Sequence, residues 1–322
     1  MEKLTIRQQV IQDLIDKKVR LSYSTLKKFT SPISIVNYLV EKRTKVFIPT
    51  DSMVMGSLCD LLLFTPDELD KRFVVANNIP TTDAMKNYSN ELIMFGKEGN
   101  EINEDVAETV FFNHYKRGSA PNTWEKLKDF IHAKIDGKDI TTPQLKQEAE
   151  DLIGALKQHN EVDELLSQMI ETQKKIQFQY DGWNYIGYYD AFMEGNNVMD
   201  GKFSKDANPE KFERDIYNME YFLQAGIYTD YLIQEGINLF PNYSFVVYDK
   251  SFNYSIIKMD RKYIEYGIAK YQHLTQKLSQ LSKYKRFGGS YDFFKKEFIA
   301  YKPNWSKGFD LDGGKISNKI EL

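Results

Sequence analysis

The sequence changes its hydrophobic period in the middle of the chain, and this change limits the possible folds more than any other feature. The stretch KKIQFQYDGWNYIGYYDAFMEGNNVMDGKFS alternates apolar and polar residues in three short segments, at about 174–180, 184–193 and 197–203. Such alternation is typical of strands that turn one face to a core. Asp181-Gly182 and Gly195-Asn196-Asn197 separate the segments, and these residue types favour tight turns. The three segments therefore predict an antiparallel meander.

The segments on either side of this meander have helical periodicity. Upstream, apolar residues recur at helical spacing in residues 4–18, 56–64 and 143–169, and LSYSTLKKFTSPISIVNYLVEKRTK favours two short helices. Downstream, residues 209–234 and 260–284 each predict a helix, and YSFVVYDK with NYSIIKM predicts a further hairpin. This order predicts an α/β protein with a central sheet flanked by helices and with a helical N-terminal layer.

The length of 322 residues corresponds to one large domain, or to two domains at roughly 150 residues each. Residues 76–122 are rich in Asn, Gly, Thr and charge without sustained periodicity, so we expect loops with one or two short helices there. We place a helical N-terminal part at 1–142, with an insertion at about 76–142, and the core that carries the strands at 143–322. The two parts are expected to form one continuous domain.

Composition excludes several classes of protein. The formal charge of −3, from 43 basic and 46 acidic residues, excludes a polycation held on nucleic acid by bulk charge, so any such site needs a local basic lining. The single cysteine, Cys59, excludes a disulfide framework, a zinc ribbon and a cysteine-ligated iron–sulfur cluster within one chain. The N-terminal segment mixes charges with apolar positions, and no apolar run reaches the roughly 18 residues of a membrane helix. We therefore expect a soluble, cytoplasmic protein without a membrane partner.

Charged residues at the ends of the predicted strands are the strongest candidates for chemistry. Asp190 ends the second strand, and Asp200-Gly201-Lys202 ends the third. Neighbouring antiparallel strands can bring these carboxylates close enough to bind one cation, and Mg²⁺ favours such oxygen ligands. Lys202 lies two residues after Asp200, on the same face of the strand, where it can orient a metal-activated water or stabilise phosphoryl charge. Taken alone, the pattern also fits a salt-bridged surface hairpin.

Four segments between residues 21 and 235 follow one another in the order found in a known family. They are LSYSTLKKFTSP, MGSLCDLLLFTP, IGYYDAFMEGNNVMDGKFSKDANPEKF and MEYFLQAGIYTDYL. The first is similar to an N-terminal helix, and the second to a helix of pattern Gly-Ser/Thr-x-x-His-x-x-Leu-Leu-x-Pro. The third resembles a Gly-x-x-Asp, Asp-x-Lys and Ser/Thr signature, and the fourth a Tyr-x-x-Gln-Ala-x-x-Tyr helix. The sequence thus resembles the PD-(D/E)xK nuclease superfamily, especially phage-type exonucleases of the lambda and RecE kind.

The resemblance implies a restriction-endonuclease-like core with a mixed sheet, and it implies roles for particular residues. Asp190 and Asp200 fall on the metal-binding carboxylates, and Lys202 falls on the motif lysine. Gln224 falls on the glutamine near the metal and the substrate backbone. Tyr228 follows one helical turn later on the same face. These five residues are the candidate catalytic set, with Mg²⁺ or Mn²⁺ as the cofactor.

Two positions depart from the pattern of the family. Asp60 falls where relatives often carry a histidine metal ligand, and an aspartate still suits Mg²⁺ or Mn²⁺ because it is the harder ligand. Many relatives also carry a glutamate on the first strand, where this sequence reads QKKIQF. Asp60 is therefore kept as a third candidate metal ligand, and the first strand contributes none.

The resemblance also implies the function. We expect a Mg²⁺-dependent deoxyribonuclease, an exonuclease that degrades linear double-stranded DNA from its ends in phage-type recombination or repair. A homo-oligomeric ring around DNA and a single-strand annealing protein as partner are implied in the same way. Phosphates dominate nucleic-acid affinity, so basic residues in or beside the motif segments are the candidate DNA contacts. They are Lys27, Lys28, Lys174, Lys175, Lys205 and Arg214.

Two alternatives remain open at this point. The first is an endonuclease or another DNA-processing nuclease of the same superfamily. The second is a module on the nuclease fold that has lost catalysis and only binds DNA or a protein. The departures at Asp60 and on the first strand favour this module slightly, and the intact Asp…Asp-x-Lys and Gln-x-x-x-Tyr set argues against it. For Gln224 and Tyr228 the ordinary alternative is an amphipathic helix, and for Asp60 it is a carboxylate paired with a lysine. Metal titration separates an active nuclease from the inactive module, because the inactive module should bind DNA equally with or without Mg²⁺.

Overall fold

The fold is built from thirteen α-helices and seven strands in the computed structural model, which describes residues 4–76 and 78–288. The helices are α1 (Ile6–Ile15), α2 (Tyr23–Lys27), α3 (Pro32–Thr44), α4 (Asp51–Phe64), α5 (Leu69–Arg72), α6 (Asp83–Lys97), α7 (Glu104–His114), α8 (Ala120–Ile135), α9 (Pro143–Leu156), α10 (Asn160–Ser167), α11 (Pro209–Asn218), α12 (Tyr221–Gln234) and α13 (Arg261–Lys283). The strands are β1 (Phe73–Val75), β2 (Asp139–Thr141), β3 (Met169–Tyr180), β4 (Trp183–Met193), β5 (Asn197–Phe203), β6 (Tyr243–Tyr248) and β7 (Tyr254–Lys258).

A five-stranded mixed sheet with the order β3-β4-β5-β6-β7 forms the centre of the fold. The pairs β3–β4, β4–β5 and β6–β7 are antiparallel, and β5–β6 is parallel. A parallel pair needs a crossover connection, and α11 and α12 supply it. The predicted meander is confirmed, including its first turn, where Asp181 and Gly182 both have positive φ, as a two-residue hairpin turn requires.

Strands β4 and β5 pair only near their shared turn and then separate. Their register covers Ala191 to Met193 on β4 and ends there, whereas β4 continues to pair with β3 along nearly its whole length. Beyond the last pair, the side chain of Asp190 accepts a hydrogen bond from the backbone N–H of Gly201 at 3.1 Å. The separation therefore opens a gap in the sheet at the position where the predicted carboxylates lie.

Helices cover both faces of the sheet, and β6 is buried between them. Phe245 and Val247 of β6 belong to a core formed with α1, α2, α3, α12 and α13. Val246 and Tyr248 belong to a second core formed with α4, α9 and α10. A strand that is buried on both faces reads as a continuous apolar run, as β6 does.

The expectation of loops with one or two short helices at 76–122 is wrong. Three helices, α6, α7 and the start of α8, occupy this stretch, and they enclose a separate apolar cluster around Phe111, Trp124 and Phe130. Thr82, Asn103 and Ser119 cap their N-termini. Short polar linkers separate these helices, so the helical periodicity is interrupted and the sequence alone did not indicate them. The division into parts at 1–142 and 143–322 stays a prediction, and residues after 288 lie outside the described ranges.

The single helix predicted at 209–234 is two helices. The chain turns between α11 and α12 at Met219 and Glu220, where Glu220 adopts a left-handed conformation with φ 58°. Likewise, residues 143–169 form α9 and α10 before β3 begins at Met169. Among residues 4–76 and 78–288, no helix combines the length and the apolar character that a bilayer crossing needs.

Candidate active site

The centre of the candidate site is the pair Asp200 and Lys202 on β5. Asp200 is almost fully buried, with 1% of its side chain exposed, and the Lys202 ammonium contacts its Oδ2 atom. The two side chains share one face of the strand, as their spacing predicts. Gly201, between them, turns toward α4, where a Cβ atom would lie 2.8 Å from Phe64 and 3.3 Å from Oδ1 of Asp60. A glycine is therefore needed for α4 to approach the strand.

Helix α12 and strand β6 hold the other oxygen of Asp200. The side-chain amide of Gln224 donates a hydrogen bond to Oδ1 at 2.8 Å, and the hydroxyl of Tyr243 donates to the same atom at 3.2 Å. Apart from the Lys202 ammonium, Oδ2 has no hydrogen-bond partner among the described residues. Asp200 is thus fixed on one side by neutral donors and faces a cation on the other.

Two more carboxylates lie beside this pair. Asp190, at the gap between β4 and β5, is held through Oδ2 by the backbone N–H of Gly201. Asp60 comes from α4, and its Oδ1 accepts a hydrogen bond of 3.2 Å from the hydroxyl of Tyr248. The structure therefore brings together three carboxylates and one ammonium from α4, β4 and β5.

The electrostatics show that negative charge is in excess. Burial raises the pKa of Asp190 well above its ordinary value, and the charge of Asp200 adds to the effect. Burial also raises the pKa of Asp60, to about 6, although the nearby Lys202 opposes the shift. Burial alone would lower the pKa of Lys202, but the charges of Asp200, Asp190 and Asp60 outweigh it and raise the pKa. Lys202 is therefore a firmly protonated cation.

The donor set fits a hard divalent cation by its chemistry. Among the residues that the structure describes, three carboxylates face the Lys202 ammonium, and the buried Oδ2 of Asp200 has no hydrogen-bond donor besides that ammonium. The possible metal ligands are carboxylate oxygens. Mg²⁺ and Mn²⁺ favour such ligands and would offset the excess charge. In the part of the chain that the structure describes, however, no three His, Cys, Asp or Glu side chains stand in a metal-holding arrangement. The Lys202 ammonium occupies the position against Asp200 in this arrangement.

Tyr228 lies one turn after Gln224 on α12 but contacts β4 rather than the carboxylates. Its hydroxyl accepts a hydrogen bond of 3.3 Å from the backbone N–H of Tyr188. Its ring lies against Gly187, where a Cβ atom would be 2.5 Å from the ring. Burial raises the pKa of Tyr228 to about 12, with the charge of Asp200 adding to the effect. Tyr228 thus supports the strand end that carries Asp190.

The six basic residues predicted as DNA contacts are spread over α2, β3, α11 and the segment that follows β5. Lys27 and Lys28 are at the end of α2, and Lys27 is the one linked to the surroundings of the site, through Tyr23. Lys174 lies on the edge strand β3, where it is paired with Glu171 at 2.8 Å. The others, Lys175 on β3, Lys205 after β5 and Arg214 on α11, are exposed.

Sequence reasoning missed the tyrosines of β6 that hold the carboxylates. Tyr243 and Tyr248 are fully buried, and each hydroxyl donates to an aspartate of the site. The segment YSFVVY predicts only a buried strand. A buried tyrosine hydroxyl needs a polar partner, and this requirement was the available signal. The sequence did not show which residue the partner is.

Comparisons with known proteins identify a family and a similar fold. A family described as "PDDEXK-like domain of unknown function (DUF3799)" matches residues 22–290. A solved structure of a protein from Eubacterium rectale, described as a "putative exonuclease", has a TM-score of 0.52 at 11% sequence identity, over 94% of this chain and 96% of that chain. At this identity the likeness concerns the fold alone. No curated protein matches the sequence.

Proposed function

The chain belongs to this PDDEXK-like family, and from that membership we propose that it is a divalent-metal-dependent deoxyribonuclease that hydrolyses phosphodiester bonds. The observation that carries the proposal is the linked set of Asp200, Lys202 and Gln224 at the gap between β4 and β5. A surface hairpin would have no reason to bury a carboxylate between an ammonium, an amide and a tyrosine hydroxyl. The family membership and the predicted superfamily agree.

Asp190, Asp200 and Asp60 are the proposed ligands of Mg²⁺ or Mn²⁺. When bound, such an ion polarises the phosphoryl group and lowers the pKa of a water molecule, which makes that water a nucleophile. Tyr248 keeps the Asp60 carboxylate in one orientation, and Gly201 does the same for Asp190 through its N–H group. Asp60, in place of the histidine of many relatives, keeps the set purely oxygen.

Lys202 acts as a cation rather than as a base. Three carboxylates keep it protonated, so it has no free lone pair with which to accept a proton. Its N–H groups can donate to a non-bridging phosphate oxygen and stabilise the charge that develops there during hydrolysis. Gln224 orients Asp200, and Tyr228 keeps β4 at the distance that places Asp190 beside β5.

Exonuclease action on linear double-stranded DNA is the finer form of the proposal. The resemblance to phage-type exonucleases supports it, and the protein from Eubacterium rectale with the same fold carries an exonuclease description. Recombination or repair as its setting, a ring of subunits around DNA, and a single-strand annealing partner rest on that resemblance. The proposed DNA contacts are again Lys27, Lys28, Lys174, Lys175, Lys205 and Arg214.

The deciding experiment compares two DNA substrates. End-labelled linear duplex and covalently closed circular DNA are incubated with the protein in Mg²⁺ or EDTA, beside the Asp200→Asn variant. Loss of the linear substrate alone, only with Mg²⁺ and only with the unaltered protein, is the expected result. Cleavage of the circular DNA would show that the protein is an endonuclease rather than an exonuclease. No cleavage with Mg²⁺ or Mn²⁺, together with DNA binding that ignores the metal, would replace the enzyme by a binding module.

A further inference from the structure

The turn between α11 and α12 carries exposed side chains suited to stacking. Tyr217 is 63% exposed and Met219 46% exposed at this turn, and Tyr266 on α13 beside it is 52% exposed. Together with Tyr23 and Lys27 of α2, we call these residues the aromatic ledge. Exposed aromatic side chains are costly to keep in water, so a group of them next to a functional site indicates a binding surface.

A buried ring supports the exposed ones. The Phe222 ring is stacked with that of Tyr217 at 6.2 Å between centroids, and it lies 5.2 Å from the ring of Tyr266. Only 1% of Phe222 is exposed. The two tyrosines are therefore held as parts of one surface, which lowers the entropy lost when a ligand stacks on them.

Contacts to α2 complete the ledge. The hydroxyl of Tyr23 donates to the backbone carbonyl of Met219. The Lys27 ammonium lies 3.4 Å from that hydroxyl and 3.8 Å from the Met219 sulfur. A cation is thus placed at the edge of the aromatic surface.

The ledge is continuous with the candidate active site through Tyr221. The Lys202 ammonium lies 5.2 Å from the centroid of the Tyr221 ring, and Tyr221 is two residues after Met219. Burial raises the pKa of the Tyr23 hydroxyl, and the charges of Tyr221, Lys202 and Asp200 also reach it. The end of the ledge at Tyr23 is therefore near the groups that would carry out the hydrolysis.

The charge at the ledge suits a phosphate. Among the described residues, no carboxylate lies within ion-pair distance of Lys27. Glu220, the acid whose charge acts on Lys27, is paired at 3.0 Å with Lys270, which also lies over the Phe222 ring. Lys28 is exposed one residue further along. Aromatic rings beside available cations are the features with which proteins bind single-stranded nucleic acid, because every base has a face for stacking.

We propose that the aromatic ledge binds a single DNA strand on its way to Asp200 and Lys202, with bases stacked on Tyr217 and Tyr266 and a phosphate at Lys27. This proposal rests on the proposed nuclease function and specifies its substrate. Bases in a duplex have their faces covered by their neighbours, so the strand must be unpaired where it meets the ledge. The protein then acts on frayed or single-stranded ends in preference to closed blunt ends.

The test measures binding without catalysis. Fluorescence anisotropy with the full chain in EDTA compares a labelled oligothymidylate with a blunt hairpin duplex. One lost stacking contact corresponds to about 1–3 kcal/mol, so we expect Tyr217→Ala and Tyr266→Ala each to raise Kd for the single strand about fivefold or more. Tyr217→Phe keeps the ring and should keep the affinity.

Lys27→Ala tests the phosphate contact. It should also weaken binding of the single strand and reduce the salt dependence of that binding. Phe112→Ala, at a 67% exposed aromatic on α7, is the matched control.

The outcomes separate this proposal from the nuclease proposal. Weaker single-strand binding in the ledge variants, with Phe112→Ala unchanged, supports the ledge even if no DNA is cleaved with metal. Unchanged single-strand affinity in Tyr217→Ala and Tyr266→Ala overturns the ledge even if metal-dependent cleavage is observed, and would point to a protein partner for this surface. Equal loss of affinity for the blunt duplex would also overturn it, because the ledge would not then select unpaired strands. Equal melting temperatures confirm that the variants are folded.

Discussion

The side-chain amide of Gln224 donates a 2.8 Å hydrogen bond to Oδ1 of Asp200, and this bond joins helix α12 to strand β5 at the gap in the sheet. Both residues are buried, with 8% and 1% exposure. The glutamine is a neutral donor to one carboxylate oxygen, and the other oxygen contacts the Lys202 ammonium. The Gln-Ala-x-x-Tyr helix and the Asp-x-Lys strand are thereby parts of one site.

We expect Gln224→Ala to lower kcat for DNA cleavage about a hundredfold, because Asp200 loses the donor that fixes its orientation. Removing the partner of a buried carboxylate should also cost about 1–3 kcal/mol of unfolding free energy. Gln234→Ala is the control, since Gln234 donates a similar bond to Asp230 at 2.6 Å on the same helix, outside the candidate site. Similar losses of kcat in both variants would contradict the hypothesis that Gln224 orients Asp200 for catalysis.

We expect Lys202→Ala to abolish cleavage while the protein still folds. The variant removes the ammonium that faces Asp200, Asp190 and Asp60, so transition-state charge on the phosphate is no longer stabilised by it. Circular dichroism and a cleavage assay on linear duplex measure the two effects. Lys134→Ala is the control, because Lys134 on α8 is buried and is paired at 2.7 Å with Asp139 at the start of β2, outside the candidate site. Retained cleavage in Lys202→Ala would contradict the assignment.

Local turn chemistry explains why the meander was predictable. Asp181-Gly182 and Gly195-Asn196 have the positive φ values that their residue types favour, so strands β3, β4 and β5 could be placed from sequence alone. The beginning of β3 at Met169 was missed, because the helical spacing continues to Met169, the residues from Glu171 to Lys175 are polar, and the register shifts between Met169 and Glu171. The left-handed turn at Glu220 was missed as well, since its ion pair with Lys270 is a tertiary contact.

Distance along the chain explains what was missed in the site. The resemblance placed Asp190, Asp200, Lys202 and Gln224 in order, and the structure brings these four together. The hydroxyl of Tyr248 reaches Asp60 across 188 residues, and that of Tyr243 reaches Asp200 across 43. No period or spacing encodes such pairs. Their roles in catalysis, like those of Asp60 and Tyr228, stay predictions until variants are measured.

We expect Tyr248→Phe to weaken Mn²⁺ binding about 10–100-fold, because partners that orient a metal ligand contribute this much to affinity. Isothermal titration calorimetry on the intact chain gives the Kd without any need for turnover. Tyr254→Phe is the matched control, since its hydroxyl donates to Glu161 at 3.2 Å on the protein surface. A Kd that is unchanged in Tyr248→Phe would show that Asp60 needs no orientation, or that it does not bind the metal.

We expect the contribution of Asp60 to the stability of the metal-free protein to fall as the pH rises from about 4 to 7. The pKa of Asp60 is raised from 3.8 to about 6, so the folded state binds the proton more tightly than the unfolded state. The stabilisation is therefore fully present below the unfolded pKa and is lost as the pH rises through the folded one. Asp190, whose pKa is also raised, acts in the same direction.

A divalent cation should compensate for this loss. Mg²⁺ at millimolar concentration is expected to raise Tm at neutral pH and to have little effect near pH 4, where protons already balance the carboxylates. Thermal scans of the unaltered protein and Asp60→Asn, in EDTA and in Mg²⁺, measure both effects. Asp60→Asn should flatten the pH dependence. An identical pH profile in the variant would show that Asp60 is not the titrating group.

We expect Gly267→Ala to destabilise the fold strongly, because α12 and α13 cross in direct backbone contact. A Cβ atom at Gly267 would lie 2.0 Å from the carbonyl oxygen of Phe222, and one at Gly226 would lie 2.4 Å from the backbone of Gly267. Backbone cannot move aside as a side chain can, so the helices must separate. The cost should be about 1–3 kcal/mol or more, measured by urea unfolding. Since α12 also carries Gln224, the separation should lower DNA cleavage.

Gly154→Ala is the control, because nothing lies within 4 Å of a Cβ atom there. At this exposed helical position, alanine should raise the free energy of unfolding by about 0.5–1 kcal/mol. Stabilisation of both variants would contradict the close backbone contact between α12 and α13 at Gly267.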